Sequence, residues 1–218
     1  MVSMTNIFCF VGYIEAGQVS LMKLLFEDKK FIKKNNLVRL IYGTTKPNII
    51  EPEKYYNISN EDFKAIPQLD LIEYRSYYML NFKNDIYYFT KKSDILNNKD
   101  KNLICIASPY QYESYKSWIA TENIKVPNSY SLNCILVTKK MKDRLIDIIS
   151  KSDSDDEIQE ICRRTIQEKV EFDEVKKKIP EFFSPLICEN TCVIDNDSIT
   201  QEESIEKIKE FISFIIDK

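Results

Sequence analysis

Short apolar runs alternate with helical patterns along this chain, and that alternation restricts the fold more than any other feature. Ile7 to Val11, Leu37 to Tyr42, 103–107, 132–138 and Cys192 to Ile194 are apolar runs of strand length. Gln18 to Glu27 carries Val19, Met22 and Phe26 at helical spacing, and 110–121 and 139–150 read as further helices. Ser154-x-x-Glu157 is a capping box that opens a long helix through Ile158, Ile161, Cys162 and Thr165 to about Lys178. Thr200-x-x-Glu203 opens a terminal helix with Ile205, Ile208, Ile212 and Ile215 on one face. Uninterrupted apolar strands are buried on both faces. The pattern therefore predicts an α/β protein with a mostly parallel sheet between two helical layers.

One region breaks the alternation. Gly43-Thr44-Thr45-Lys46-Pro47 is a polar turn, and Ser59-Asn60-Glu61-Asp62 starts a capped short helix. Leu71 to Leu80 and Ile86 to Thr90 are strands joined through Lys83-Asn84-Asp85, a hairpin signal, with a short helix over 91–98. This stretch is expected to form a smaller β lobe inserted into the parallel core. The 218 residues suffice for one domain, and no run approaches the roughly 20 apolar residues of a membrane helix. The amino terminus lacks the basic flank and cleavage site of a secretory signal, so a soluble cytoplasmic protein is expected. A net charge of −3 gives the chain as a whole no attraction for nucleic acid, and no membrane partner is expected.

Composition removes several chemistries. The chain has no histidine, which excludes Ser-His-Asp triads, Cys-His dyads and imidazole-based metal or acid–base sites. Of its six cysteines, Cys9, Cys105, Cys134 and Cys192 sit inside apolar runs and are expected to pack as core thiols. Cys188-x3-Cys192 is the only close pair and has no accompanying ligand pair, so no metal site is expected. The chain has only three glycines, Gly12, Gly17 and Gly43, where ordinary usage would give about 15. Residues kept against such a bias mark positions where a side chain does not fit.

Gly12 and Gly17 stand five apart between an apolar strand and an amphipathic helix, the frame of G-x-x-x-x-G-K-[ST]. In that loop, backbone N–H groups and the helix N-terminus cradle phosphates, while the lysine and hydroxyl serve the terminal phosphate and Mg²⁺. The frame here runs Gly12-Tyr13-Ile14-Glu15-Ala16-Gly17-Gln18-Val19-Ser20. Gln18 replaces the lysine, Val19 replaces the metal-binding hydroxyl, and Glu15 adds an anion. An ordinary strand-to-helix turn is the alternative reading of the same residues.

Further matches follow in order along the chain. Thr44-Thr45-Lys46-Pro47-Asn48-Ile49, Lys54-Tyr55-Tyr56-Asn57-Ile58-Ser59, Leu71-Ile72-Glu73-Tyr74, Tyr88-Phe89-Thr90, Ile104 to Tyr110 and Cys192 to Asp197 resemble successive motifs of the guanylate kinase family. The resemblance implies a phosphate-loop nucleoside monophosphate kinase core over 1–43, 91–150 and 165–218. It also implies a GMP-binding lobe over 44–90 and a helical lid over 150–165. It gives Lys46, Tyr55 and Tyr88 to the substrate phosphate and Glu73 and Thr90 to the guanine edge. Ile49 stands where a second phosphate-binding arginine would be. Ser20 keeps the final loop hydroxyl, and Ala107 occupies a strand-end position that is acidic in the family. Arg144, Lys151, Arg163 and Arg164 are the lid cations the resemblance points to, and Lys139, Lys140 and Lys142 offer further charge.

These substitutions fall mainly on the ATP side, so the expected function is a pseudoenzyme. It would bind GMP or another phosphorylated ligand with little phosphotransfer. Two alternatives are an active divergent guanylate kinase, requiring ATP and Mg²⁺, and an interaction module that binds a phosphoprotein.

Overall fold

A computed structural model describes residues 4–13, 15–47, 53–79, 84–127, 129–151, 154–178 and 190–218. Its centre is a five-stranded sheet in the order β2-β7-β1-β8-β9, in which every pairing is parallel. The strands are β1 (Thr5–Gly12), β2 (Leu37–Arg39), β7 (Asn102–Ala107), β8 (Tyr130–Thr138) and β9 (Thr191–Asp195). Every residue of β1 is buried. Because successive side chains point to opposite faces, Ile7, Cys9 and Val11 pack on one side while Phe8 and Phe10 pack on the other.

Helices cover both faces. On the Phe8 side lie α1 (Gln18–Glu27), through Leu21, Met22 and Leu25, and α8 (Gln201–Ile216), through Ile205, Ile208, Ile212 and Ile215. The opposite face is covered by α5 (Pro109–Lys125), whose Tyr112, Tyr115, Trp118 and Ile119 join Phe172 of α7 (Asp155–Lys178). The Thr200 hydroxyl accepts from the Glu203 amide, and the Glu203 carboxylate accepts from the Thr200 amide, so the terminal box closes as its sequence predicts. Cys9, Cys105 and Cys134 are buried core thiols, Cys192 is half-buried, and Cys188 lies outside the described residues. No group of three or more metal-ligating side chains occurs among the described residues. No helix among them is long and apolar enough to cross a membrane.

A second sheet has the order β4-β3-β6-β5, from β3 (Tyr42–Thr44), β4 (Tyr55–Asn57), β5 (Leu71–Met79) and β6 (Asn84–Lys91). Its helix α3 (Asn60–Ala65) is capped by the Ser59 hydroxyl and stacks Phe63 on Tyr87 at 4.2 Å. The run Leu37 to Tyr42 divides rather than forming one strand. Leu37–Arg39 joins the parallel sheet, and the chain then leaves it so that Tyr42–Thr44 pairs in the second sheet. The Gly43-Thr44 portion of the predicted turn is therefore strand, because its backbone groups are needed by β4 and β6. A short helix, α2 (Lys29–Lys34), has no fully buried residue and rests on the core only through half-buried Phe31 and Ile32, too short an apolar pattern to read. The remaining helices are α4 (Lys92–Leu96), within the predicted 91–98, and α6 (Met141–Lys151). Helix α7 is continuous through position 165, and residues 80–83, between β5 and β6 in the chain, lie outside the described set.

Candidate functional site

A cleft of about 370 Å³ lies where the loop after β1, the carboxyl ends of β2 and β7, and the second sheet converge. Ligands of parallel α/β proteins settle beyond the carboxyl ends of the strands. Gly12, Gln18 and Ala107 line one part, while Lys54, Tyr55, Arg75 and Tyr88 line the part built by the second sheet.

The loop has the backbone its glycines predict. Gly17 precedes α1 at φ +111°, and a Cβ there would stand 2.3 Å from the Asn196 side-chain nitrogen. Gly12 passes so near β8 that a Cβ would approach the Val137 carbonyl oxygen to 2.5 Å. Glu15 also takes a positive φ of 56°, and the Tyr13 carbonyl accepts from the Ala16 amide at 3.0 Å, closing a tight turn. Two side chains hold this shape. Gln18 is buried and folds back so that its amide donates to the Tyr13 carbonyl at 3.0 Å. Asn196, just beyond β9, donates to the Ala16 carbonyl at 2.5 Å. Val19 is 40% exposed and reaches the cleft with a hydrocarbon side chain. Ser20 is exposed and outside the cleft lining.

The second sheet aligns four of its side chains by register. Glu73 pairs with Thr90 and Arg75 with Tyr88 across antiparallel β5 and β6, so the two pairs share a face. The Thr90 hydroxyl donates to Glu73 Oε1 at 2.8 Å, and the Gln111 amide nitrogen donates to the same oxygen at 3.0 Å. Gln111 Oε1 accepts from Arg75 Nη2 and from the Ser108 amide, both at 2.9 Å, tying this network to the start of α5. Tyr115 Oη lies 3.0 Å from the Thr90 hydroxyl. Glu73 Oε2 is buried and makes no hydrogen bond. Burial raises the Glu73 pKa above the ordinary carboxylate range, against the opposing pull of Arg75, Gln111 and Thr90. Glu73 itself stands outside the cleft lining, with its partners Arg75 and Gln111 forming the wall.

Tyr55 and Tyr88 meet edge to face with ring centroids 5.6 Å apart, and both line the cleft. Lys46 is half-buried and is not in the lining. Lys54 and Arg39 are there instead. Among the lid cations, Arg163 is exposed and donates to Gln167, while only the backbone of Lys151 and Arg164 is described. Arg144 is 4% exposed, with its guanidinium 4.6 Å over the Tyr13 ring. Lys139 pairs with Asp147, and neither Lys139, Lys140 nor Lys142 lines the cleft. Ile49 lies outside the described residues.

Sequence reasoning missed Arg75, Gln111 and Asn196. Arg75 was two residues from Glu73, hence on the same strand face. Gln111 carried the capping-box spacing with Ser108, which disguised its contact with Glu73. Asn196 lay in a matched motif but gave no sign of reaching a loop 180 residues away.

No family model and no curated protein matches this chain. A crystal structure of guanylate kinase from Anaplasma phagocytophilum superposes with a TM-score of 0.53 at 15% identity, covering 99% of this chain and 88% of that one. The solved structure of APE1195 gives a TM-score of 0.47 at 11% identity, over 99% of this chain and 98% of that one. The chain has a guanylate kinase-like fold.

Proposed function

We propose that this protein is a guanylate kinase-like pseudoenzyme, which holds GMP or another phosphorylated ligand in the cleft and transfers phosphate poorly. The observation that carries the reading is the unequal furnishing of one continuous cleft. Its second-sheet part offers Tyr55, Tyr88, Lys54 and Arg75, a set of hydroxyl and cationic donors suited to a phosphate. Its loop part offers Gln18, Val19 and Ala107, with Glu15 as an anion, where transfer would need a lysine, a metal hydroxyl and a carboxylate.

Guanine is the base that the second-sheet part favours. Glu73 keeps one unengaged carboxylate oxygen behind the wall, and guanine presents adjacent N1–H and N2–H₂ donors that adenine lacks. Reaching that oxygen requires Gln111 to turn aside, which makes the expected affinity weak. Calorimetry with GMP and AMP tests this directly. GMP should bind more tightly, and Glu73→Gln should erase the difference. Equal affinity in the unmutated protein overturns the guanine assignment.

A further inference from the structure

The cleft wall in front of Glu73 carries a side-chain amide held at both ends. Gln111 Oε1 accepts from the Ser108 amide and from Arg75 Nη2, both at 2.9 Å, while its nitrogen donates to Glu73 Oε1 at 3.0 Å. A backbone N–H and a guanidinium can only donate, so they fix the oxygen end of this amide, and its nitrogen must face the carboxylate. The capping box that starts α5 uses only the Ser108 contact. The other two bonds join Arg75 and Glu73, two charged side chains of β5, through one neutral amide. Gln111 is 5% exposed and lines the cleft, whereas Glu73 behind it does not. One acceptor is left over, because Glu73 Oε2 is buried without a hydrogen bond.

We propose that the Gln111 side chain is a built-in stand-in for the N1–H/O6 edge of guanine, closing the base position until a guanine displaces it. The proposal rests on the reading of the second-sheet part as a GMP site. A carboxamide and the guanine edge carry the same O=C–N–H fragment, with acceptor and donor side by side. On exchange, O6 would take the Ser108 amide and Arg75 Nη2, and N1–H would take Glu73 Oε1. Guanine also brings its N2–H₂ donor, which Gln111 cannot supply and which the unengaged Oε2 needs. Adenine, with a donor at C6 and an acceptor at N1, opposes both ends of the pattern. Tyr55, Tyr88 and Lys54 are left for the phosphate. A site that must first open has its apparent affinity lowered by the fraction of molecules that are open.

Calorimetry of the full chain and of Gln111→Ala with GMP, IMP and AMP tests this. The backbone amide at position 111 still donates to the Ser108 hydroxyl in that variant, so α5 keeps part of its cap. GMP should bind the variant about tenfold or more tightly than the unmutated protein. IMP shares the edge but lacks N2–H₂, so it should gain while staying weaker than GMP, and AMP should not gain. A gain for AMP as large as that for GMP shows only a widened cleft and overturns the proposal. Unchanged GMP binding in Gln111→Ala also overturns it, while leaving the GMP site standing. GMP binding that appears in the variant alone supports the stand-in and removes GMP as a ligand of the unmutated protein. No GMP binding to either protein overturns both readings. If Gln111→Ala fails to fold, Gln111→Asn replaces it, since that amide is set back by one carbon from Arg75 and Glu73. No gain for GMP there overturns the proposal.

Discussion

The two ends of the cleft are built by different kinds of structure and have kept different things. The loop end is held by backbone geometry: Gly17 at positive φ, Gly12 against β8, and Asn196 clasping the Ala16 carbonyl. It is a tight strand-to-helix turn whose side chains are Gln18, Val19 and Glu15. The second-sheet end is held by side chains themselves, with Glu73, Thr90, Gln111 and Arg75 joined in one buried network. That backbone shape is fixed by the packing of β1 and α1, whatever side chains the loop carries. A buried network resists piecemeal change, because removing one member leaves the others unpaired.

The largest effect that contrast predicts is on turnover. Removing a single preorganised electrostatic donor costs about 10²–10³ in rate, and this loop lacks a lysine, a metal hydroxyl and the strand-end acid at Ala107. A coupled assay with ATP, Mg²⁺ and GMP should therefore show transfer several orders below the roughly 1–100 per second of a typical kinase. Turnover in that range would break the comparison.

Arg75→Ala should have the next largest effect. It removes a cation from the lining and releases Gln111, and a hydrogen bond to a charged group contributes about 1.5–3 kcal/mol. GMP affinity measured by calorimetry should fall about 10- to 100-fold. A change below twofold would place the ligand elsewhere.

The loop offers a smaller, opposite test. Gln18→Lys with Val19→Ser returns the lysine and the hydroxyl to an intact backbone frame. ATP–Mg²⁺ should then raise the melting temperature, and adding Glu15→Gly should raise it further by removing like charge. Turnover should stay low, because Ala107 remains. No nucleotide-dependent stabilisation at millimolar concentration would make 12–20 an ordinary strand-to-helix turn.

The smallest effect is a pH dependence at Glu73. Burial lifts its folded pKa, so the folded state keeps the proton at pH values where the unfolded chain has lost it. The stability of the unmutated protein relative to Glu73→Gln should therefore fall as pH rises from the ordinary carboxylate range to the raised folded value, and level off above it. Denaturant titrations across that window should resolve the slope. A relative stability that rises with pH would mean that Glu73 is held as a favourable charge.

Much of this was legible because local rules and tertiary structure agreed. The apolar strands, the Thr200 box and the two loop glycines each carried a signal within a few residues, and the parallel core follows from them. The departure of the chain at Leu40 and Ile41 was not legible, since one apolar run served two sheets. The family resemblance pointed to Glu73 and Thr90, but their closure by Gln111 depended on how α5 docks against β5. Motif order pointed to Lys46, Tyr55 and Tyr88 alike; Tyr55 and Tyr88 line the cleft, Lys46 does not, and strand register adds Arg75.

The central claim is that one cleft binds a phosphorylated ligand on its second-sheet side and has lost its grip on a nucleoside triphosphate at the loop. Parallel calorimetric titrations of the unmutated protein with GMP and with ATP–Mg²⁺ test it most directly. The account predicts a measurable, saturable signal for GMP and none for ATP–Mg²⁺ at the same concentrations. Binding of ATP–Mg²⁺ as tight as that of GMP, or of ATP–Mg²⁺ alone, would contradict it.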